Sequence, residues 1–197
     1  MPQTLSTPAI CLACRPWKEQ DLMVDVYTLE QGKLRLVVKG GRRLASKLAA
    51  HLEPLTLLEL MVIAGKGMSS AAAASSRNCY PSLKGDYDKI SAAGFAIYNF
   101  NRLTEEGVKD EKIFHLLADF FALLNEAKAE REWYQWFSKI FLMLVLERLG
   151  YGPEVHQEFK IEPSLYTMAS QKIDRKKFKA MNHWLDKLLP VAISNAL

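Results

Sequence analysis

Apolar and polar residues alternate along the first eighty positions, which is the period of a β-strand with one buried face. The alternating runs are interrupted by residues that favour turns, among them Pro16, Gly32 and Pro54. Strands are therefore predicted at 9–14, 22–28, 34–39 and 55–64. A fifth strand is expected within 68–80, where alanine and serine predominate although both are poor strand formers.

A helical repeat lies between the third and fourth runs, because Leu44, Leu48 and Leu52 recur every four residues. Five strands with a helix between the third and fourth resemble the OB-fold, a small barrel. Beyond residue 86 the spacing is helical, and helices are predicted at 90–103, 113–124, 133–149 and 178–188. The third is apolar on nearly all sides, so it should be the central helix of a bundle. The predicted class is α+β, with a five-stranded OB-fold β-barrel over residues 1–82 followed by an all-α helical domain over residues 83–197.

Six cations and no acidic residue occupy positions 32–47. A row of positive charge of this kind is what a phosphate backbone binds. Because side chains alternate along a strand, Lys33, Arg35 and Lys39 are expected to share the face opposite the leucines. A second interpretation stays open, since charged outer faces of strands are often only solvated and their lysines block edge-to-edge association.

The strands on either side of Gly32 are expected to form a hairpin. Burying both apolar faces in one core pairs Val24 and Val26 with the even-numbered leucines of the next strand. This pairing places Asp25 and Tyr27 on the surface, where an aromatic ring among cations can stack on a base. The candidate nucleic-acid contacts are Tyr27, Lys33, Arg35, Lys39, Arg42, Arg43 and Lys47. If all six cations neutralise phosphates of a single strand, the log–log dependence of affinity on salt has a slope of about −4.

The bend after the third strand is predicted from the Gly40-Gly41 pair, since glycine adopts positive φ without strain. Arg42 and Arg43 follow that pair directly. Two guanidinium groups are therefore expected on an exposed bend beside the strand cations.

Composition and charge limit the classes of protein to which the chain can belong. The chain has 197 residues and is 49% apolar, which is enough to bury a core. The formal net charge is +4, so affinity for nucleic acid has to come from local clustering. No apolar run approaches the ~18–20 residues of a membrane-spanning helix, and the residues before Arg15 lack the pattern of a secretory signal. The protein is expected in the cytoplasm, without a membrane partner.

Three cysteines do not indicate a disulfide framework. The spacing of Cys11 and Cys14 suggests half of a zinc site, but the chain has no second CxxC motif and its four histidines are far apart in sequence. On a regular strand these two cysteines would also face opposite sides. Buried free thiols are the alternative, and no metal is predicted.

No catalytic motif is present: the sequence lacks a phosphate-binding GxxxxGK loop, a GxSxG elbow and an HExxH helix. Catalysis and a bound cofactor are therefore not expected. A second basic cluster opens the last predicted helix, where it could extend a nucleic-acid track, bind an acidic peptide or simply be solvated. Its members are Lys172, Arg175, Lys176, Lys177 and Lys179.

Two stretches carry a family resemblance. The first, TLEQGKLRLVVKGGRRLASKLAAHLEPLTLLEL at 28–60, contains in order GK, VxKGxRR, SxL and LxP before a strand. The second is LERLGYGP at 146–153. Both resemble the RecO family of recombination mediators, strongly over residues 8–64 and loosely elsewhere.

The resemblance implies an OB-fold followed by a helical domain, no enzymatic turnover, and a role in recombinational repair in the bacterial cytoplasm, associated with the nucleoid. RecO-like proteins bind single- and double-stranded DNA and anneal complementary strands. They bind the acidic C-terminal tail of the single-stranded DNA-binding protein and act with RecR to load the recombinase. Carried over by position, DNA contact falls on Lys33, Arg35, Lys39, Arg42, Arg43 and Lys47.

One departure from the family bears on metal binding. Many members carry four zinc-binding cysteines after the LGY-P segment, whereas VHQEFKIEP here contains none, so no zinc is expected. A different function also stays open, in which the protein is an adaptor that binds an acidic peptide tail and DNA contact is incidental.

Overall fold

The computed structural model describes residues 4–151, 164–170 and 175–195. All five predicted strands are present, including the one rich in alanine and serine. They are β1 (Thr4–Trp17), β2 (Asp21–Thr28), β3 (Gly32–Val38), β4 (Thr56–Ile63) and β5 (Ser69–Asn78).

The strands close into a barrel in the order β1-β2-β3-β5-β4. Strand β3 pairs with β5 in parallel, and every other neighbouring pair is antiparallel. This is the five-stranded barrel of an OB-fold, so the predicted α+β class is confirmed. Its interior is aliphatic, with Val24, Leu36, Leu58 and Leu60 fully buried.

The register of the β2–β3 hairpin is the one predicted from the alternation. Val24 pairs with Leu36, and Val26 pairs with Leu34. A shift by one residue would turn the apolar face outward, so burial alone determines this register.

The helix predicted from the leucine repeat is wrong. The chain between β3 and β4 runs through consecutive turns and forms only a short 3-10 helix at Ala49–His51. Leu48 and Leu52 pack against the barrel core, but Leu44 is 108% exposed. The Arg43 amide donates to the Gly40 carbonyl and the Ser46 amide to the Arg43 carbonyl, which makes turns, and the Arg42 amide is held by the Gln20 carbonyl of the β1–β2 turn. A helix this short also has little stability of its own.

The cysteine prediction also requires a correction. The register between β1 and β2 shifts between Cys11 and Ala13, which marks a β-bulge. A bulge adds one residue to one strand and reverses the alternation beyond it. Cys11 is therefore buried in the barrel core and Cys14 packs partly buried against the same core, not on the opposite face.

The chain divides into two compact units, residues 1–80 with 105–114, and residues 81–104 with 115–197. The described helices are α1 (Pro81–Lys84), α2 (Tyr87–Leu103), α3 (Glu111–Glu126), α4 (Arg131–Arg148), α5 (Leu165–Ala169) and α6 (Arg175–Asn195). Within the described ranges, no helix combines the length and hydropathy needed to cross a lipid bilayer.

The helical unit is organised around α4, as its all-round apolar sequence predicted. Phe137 and Phe141 of α4 are fully buried and stack on Phe120, with ring centroids 5.5 and 4.4 Å apart. Phe100 of α2 contacts the ring of Phe141 at 5.9 Å. The aromatic residues spaced along α2, α3 and α4 therefore form the core of the helical unit.

Among the described residues of the helical unit, Lys89 is a buried charged group. Lys89 is 3% exposed, and its ammonium donates hydrogen bonds to Ser82 Oγ at 3.1 Å and to the Asn125 carbonyl at 2.9 Å. The carbonyls of the last turn of α3 carry partial negative charge, which favours a cation there. Burial lowers the pKa of Lys89 against the opposing attraction of Asp86.

Lys89→Met is expected to destabilise the protein by about 1–2 kcal/mol. The methionine keeps the apolar stem, but the variant loses two hydrogen bonds and leaves the Asn125 carbonyl without its donor. Urea denaturation of the variant measures this effect. Lys187→Met, at an exposed position of the same unit, is the matched control and should change stability by less than about 0.5 kcal/mol. Equal stabilities of the two variants would contradict the stabilising role given to the buried Lys89 ammonium.

Candidate nucleic-acid interface

Arg35, one of the strand cations predicted to bind phosphate, is ion-paired with carboxylates. Asp25 is 3% exposed at its side chain and lies between two guanidinium groups, with Arg15 Nη1 at 2.7 Å and Arg35 Nε at 2.8 Å. Arg35 also lies 3.7 Å from a carboxylate oxygen of Glu106. Two acids therefore balance the two arginines, and this part of the outer face of the barrel carries little net charge.

The pKa of Asp25 reflects this arrangement. Burial alone would raise the pKa, but the hydrogen bonds and charges of Arg15 and Arg35 outweigh burial and hold the pKa below its ordinary value. The reciprocal effect raises the pKa of Arg35, chiefly through its hydrogen bond to Asp25. Asp25 is therefore ionised at neutral pH and neutralises the arginines beside it.

Asp25 and Tyr27 were both predicted to lie on the surface, and the prediction is wrong for both residues. Tyr27 lies at the turn end of the hairpin, opposite Lys33. The side chain is 1% exposed, and burial together with the charge of Asp110 raises its pKa. Residues 105–114 pack within the barrel unit near this end of the hairpin. The Gly107 amide donates to the Lys33 carbonyl at 2.9 Å. A Cβ on Gly32 would lie 1.9 Å from the Val108 carbonyl oxygen, so only glycine permits this approach.

The same segment changes the surroundings of Lys33. Its backbone forms a bridge with Glu106, and its side chain is half-buried. Burial lowers the pKa of Lys33, and the nearby Glu106 and Asp25 carboxylates oppose this effect. We therefore do not assign DNA contact to Lys33 or Arg35.

The remaining predicted cations lie on the segment after β3, named here the cationic loop (residues 39–47). Lys39, Arg42, Arg43 and Lys47 are all exposed. Among the described residues, no carboxylate lies within ion-pair distance of any of the four. The loop contains no acidic residue of its own. Its positive charge therefore faces solvent without internal neutralisation.

The two loop arginines are held by the β1–β2 turn, residues 18–20. Arg42 Nη1 donates to the Glu19 carbonyl at 3.0 Å, and the Arg42 backbone amide donates to the Gln20 carbonyl at 2.9 Å. Arg43 Nε and Nη2 donate to Gln20 Oε1 at 2.8 and 2.6 Å. All of these acceptors are neutral, so they order the guanidinium groups without cancelling their charge.

The glycine pair shapes the entry to the cationic loop. Gly40 has φ +64°, a conformation that L-residues rarely adopt, and its amide donates to Asp21 Oδ1 at 2.8 Å. A Cβ on Gly41 would lie 3.0–3.1 Å from side-chain atoms of Leu22 and Val38. The tight bend predicted from these glycines is confirmed.

The β1–β2 turn lies at the same end of the barrel as the cationic loop. Strands β1 and β3 end here and β2 begins here, because both pairings are antiparallel. The β4–β5 loop with exposed Lys66 lies toward the opposite end, because Ile63 at the end of β4 pairs with Thr4 at the start of β1. In OB-folds the face of strands 2 and 3, with the β1–β2 and β4–β5 loops, is where oligonucleotides bind.

Sequence reasoning missed Trp17 at this end of the barrel. It is the last residue of β1, it is 39% exposed, and it directly precedes the turn that holds Arg42 and Arg43. The available signal was a tryptophan beside the polar sequence KEQD between two strands, which places a large ring next to a turn.

The second basic cluster is described only in part. Arg175, Lys176 and Lys179 are exposed on the first turns of α6, and Arg175 Nη2 lies 3.5 Å from Glu132 Oε2. Lys172 and the side chain of Lys177 lie outside the described residues. Across the described ranges, no three His, Cys, Asp or Glu side chains are grouped so that they could hold a metal ion.

Comparison with known families identifies the chain. The family model for "Recombination protein O N terminal" matches residues 1–80, and the model for "Recombination protein O C terminal" matches residues 84–165. The chain belongs to the RecO family. The resemblance stated from the sequence motifs is therefore confirmed.

Proteins named DNA repair protein RecO are similar over most of this chain. The RecO of Geobacter metallireducens is 30% identical over 148 residues, which is 75% of this chain and 61% of that protein. The RecO of Roseiflexus sp. is 28% identical over 151 residues, 77% of this chain and 52% of that protein. The RecO of Streptococcus thermophilus is 27% identical over 156 residues, 79% of this chain and 58% of that protein. The chain therefore spans between about half and three fifths of the length of these relatives.

Proposed function

We propose that this RecO-family chain acts in recombinational DNA repair by binding DNA through the cationic loop at one end of its barrel. The observation that supports the proposal most strongly is the contrast between strand and loop cations. Arg15 and Arg35 are neutralised by Asp25 and Glu106, whereas the cations of the loop are exposed and, among the described residues, unpaired with acids. Phosphates are the natural counter-charge for such a loop.

Contacts of this kind determine how DNA is held. Lysine and arginine side chains that neutralise phosphates fix the position of a strand without reading its sequence. The bases of a strand held by its phosphates remain free to pair with a second strand. This property supports non-sequence-specific binding of single- and double-stranded DNA and promotion of strand annealing.

The salt dependence of binding tests the proposal. Four loop cations that neutralise phosphates of a single strand give a log–log slope of about −3, less steep than the slope of about −4 expected when the strand cations also take part. Lys39→Gln with Lys47→Gln removes two of these charges, should reduce the slope to about −1.4, and should weaken binding about 25-fold at 0.1 M salt. Fluorescence anisotropy of a labelled oligonucleotide measures both quantities.

The lysine pair suits this test because, among the described residues, neither side chain makes a hydrogen bond or ion pair that the substitution would remove. Arg77→Gln is the matched control, since Arg77 is exposed on β5 and is ion-paired with Glu59. An Arg77 variant that loses as much affinity as the lysine pair, or a lysine pair that keeps the full slope, would refute the proposed surface.

We propose the partners on the basis of family membership: RecR, and the acidic tail of the single-stranded DNA-binding protein, with loading of recombinase on the coated strand as the outcome. The exposed Arg175, Lys176 and Lys179 of α6 support an acidic partner for the helical unit. An annealing assay separates this function from that of an adaptor for acidic peptides. The adaptor would bind the tail peptide but would not accelerate annealing of complementary oligonucleotides.

A further inference from the structure

The barrel unit has one exposed aromatic ring. Its four aromatic residues are Trp17, Tyr27, Tyr80 and Phe114, and the last three are buried. All four lie in the described part of the chain. A base that stacks on a ring of this unit therefore has Trp17 as its available platform.

The position of Trp17 links it directly to the cationic loop. In the β1–β2 register it lies opposite Asp21, whose carboxylate accepts the hydrogen bond from the Gly40 amide. The next three residues form the turn whose acceptors order Arg42 and Arg43. An indole and two ordered guanidinium groups therefore share one end of the barrel.

We infer that Trp17 is a base-stacking residue that makes this end of the barrel prefer single-stranded over double-stranded DNA. The inference rests on the proposed function, because the cationic loop has to hold the phosphates while the indole takes a base. Stacking needs an unpaired base with an accessible face, which a single strand offers and a duplex interior does not. Phosphate contact by the loop is available with both substrates and releases more counterions per contact from a duplex, so a preference for single strands has to come from the indole.

Substitution of Trp17 in the full chain tests this inference. Trp17→Leu keeps apolar bulk at the end of β1 but removes the ring, and Trp17→Phe keeps a ring. We expect the leucine variant to bind an unstructured single-stranded oligonucleotide about tenfold more weakly, with an unchanged salt slope and less than about twofold loss on a duplex of equal length. The phenylalanine variant should retain most of the single-strand affinity.

Met61→Ala is the control for exposed apolar area, since Met61 lies on β4 of the same unit outside the cationic loop and is 40% exposed; it should change neither affinity by more than about twofold. Thermal melts show whether each variant is folded. The inference is wrong if Trp17→Leu binds single strands as the wild type does, if single-strand and duplex affinities fall equally, or if the leucine and phenylalanine variants behave alike. Failure of the inference is distinguishable from failure of the proposed function. If only the inference about Trp17 is wrong, Lys39→Gln with Lys47→Gln still weakens DNA binding. If the proposed function is wrong, that lysine-pair variant binds DNA as the wild type does.

Discussion

Replacing all four cations of the cationic loop with glutamine is expected to weaken single-stranded DNA binding about 600-fold at 0.1 M salt. Each phosphate contact on a single strand contributes about 0.7 to the exponent of the salt dependence, so four lost contacts lower the association constant by about 2.8 powers of ten under these conditions. The residues changed are Lys39, Arg42, Arg43 and Lys47. Acceleration of strand annealing should be lost with the affinity, because the variant can no longer hold the first strand.

Anisotropy titrations at several salt concentrations measure this loss, and a thermal melt shows that the variant is folded. The four positions are exposed, so glutamine there removes no core contact. The difference from wild type should shrink as salt rises, since the lost contribution is electrostatic. A folded variant with less than a tenfold loss at 0.1 M salt would show that DNA binds elsewhere.

Asp25→Asn is expected to change stability and DNA binding in opposite directions. The substitution removes a buried carboxylate that accepts hydrogen bonds from Arg15 and Arg35, and we expect a loss of about 2 kcal/mol in the free energy of unfolding. The cost is moderate because both arginines are partly exposed and can be hydrated. The freed positive charge should raise DNA affinity by up to about fivefold at 0.1 M salt.

The pH dependence of the same variant gives a second measurement. The folded state lowers the pKa of Asp25, so the stabilisation from this carboxylate is fully present above its unfolded-state pKa of about 4. It is lost as the pH falls further, through the folded-state pKa. Wild-type protein should therefore lose its advantage over Asp25→Asn on acidification. Urea midpoints that differ by the same amount at neutral and acidic pH would contradict the role given to Asp25.

The barrel could be predicted from the sequence because its determinants are local. Alternating residues decide which face of β2 and β3 is buried, and the pairing of Val24 with Leu36 follows from that alternation. Gly40 and Gly41 likewise indicate a bend by their own conformational freedom. Arg42, Arg43 and Lys47 were expected after this bend, whereas Lys39 was predicted on the strand and lies one residue beyond the end of β3.

The environment of the strand cations could not be predicted in the same way. Tyr27 is buried and Lys33 is half-buried, in a unit that includes residues 105–114 from far along the chain, and Glu106 of that segment pairs with Arg35. No local pattern shows where such a segment packs. The predicted alternation of inward and outward side chains along β1 was also wrong beyond Cys11. A β-bulge there adds one residue, which reverses which side chains face the core.

The central claim is that positive charge in this barrel is available to DNA on the loop and neutralised on the strands. A matched pair of variants tests it, with two guanidinium groups removed from each. Arg42→Gln with Arg43→Gln alters arginines held by neutral acceptors, and Arg35→Gln with Arg77→Gln alters arginines paired with carboxylates.

The decisive measurement is the log–log salt slope of single-stranded DNA affinity for these two variants beside the wild type. The loop pair should lower the magnitude of the slope by about 1.4, and the strand pair should leave it unchanged. A strand pair that lowers the slope by about 1.4 while the loop pair leaves it unchanged would contradict the claim.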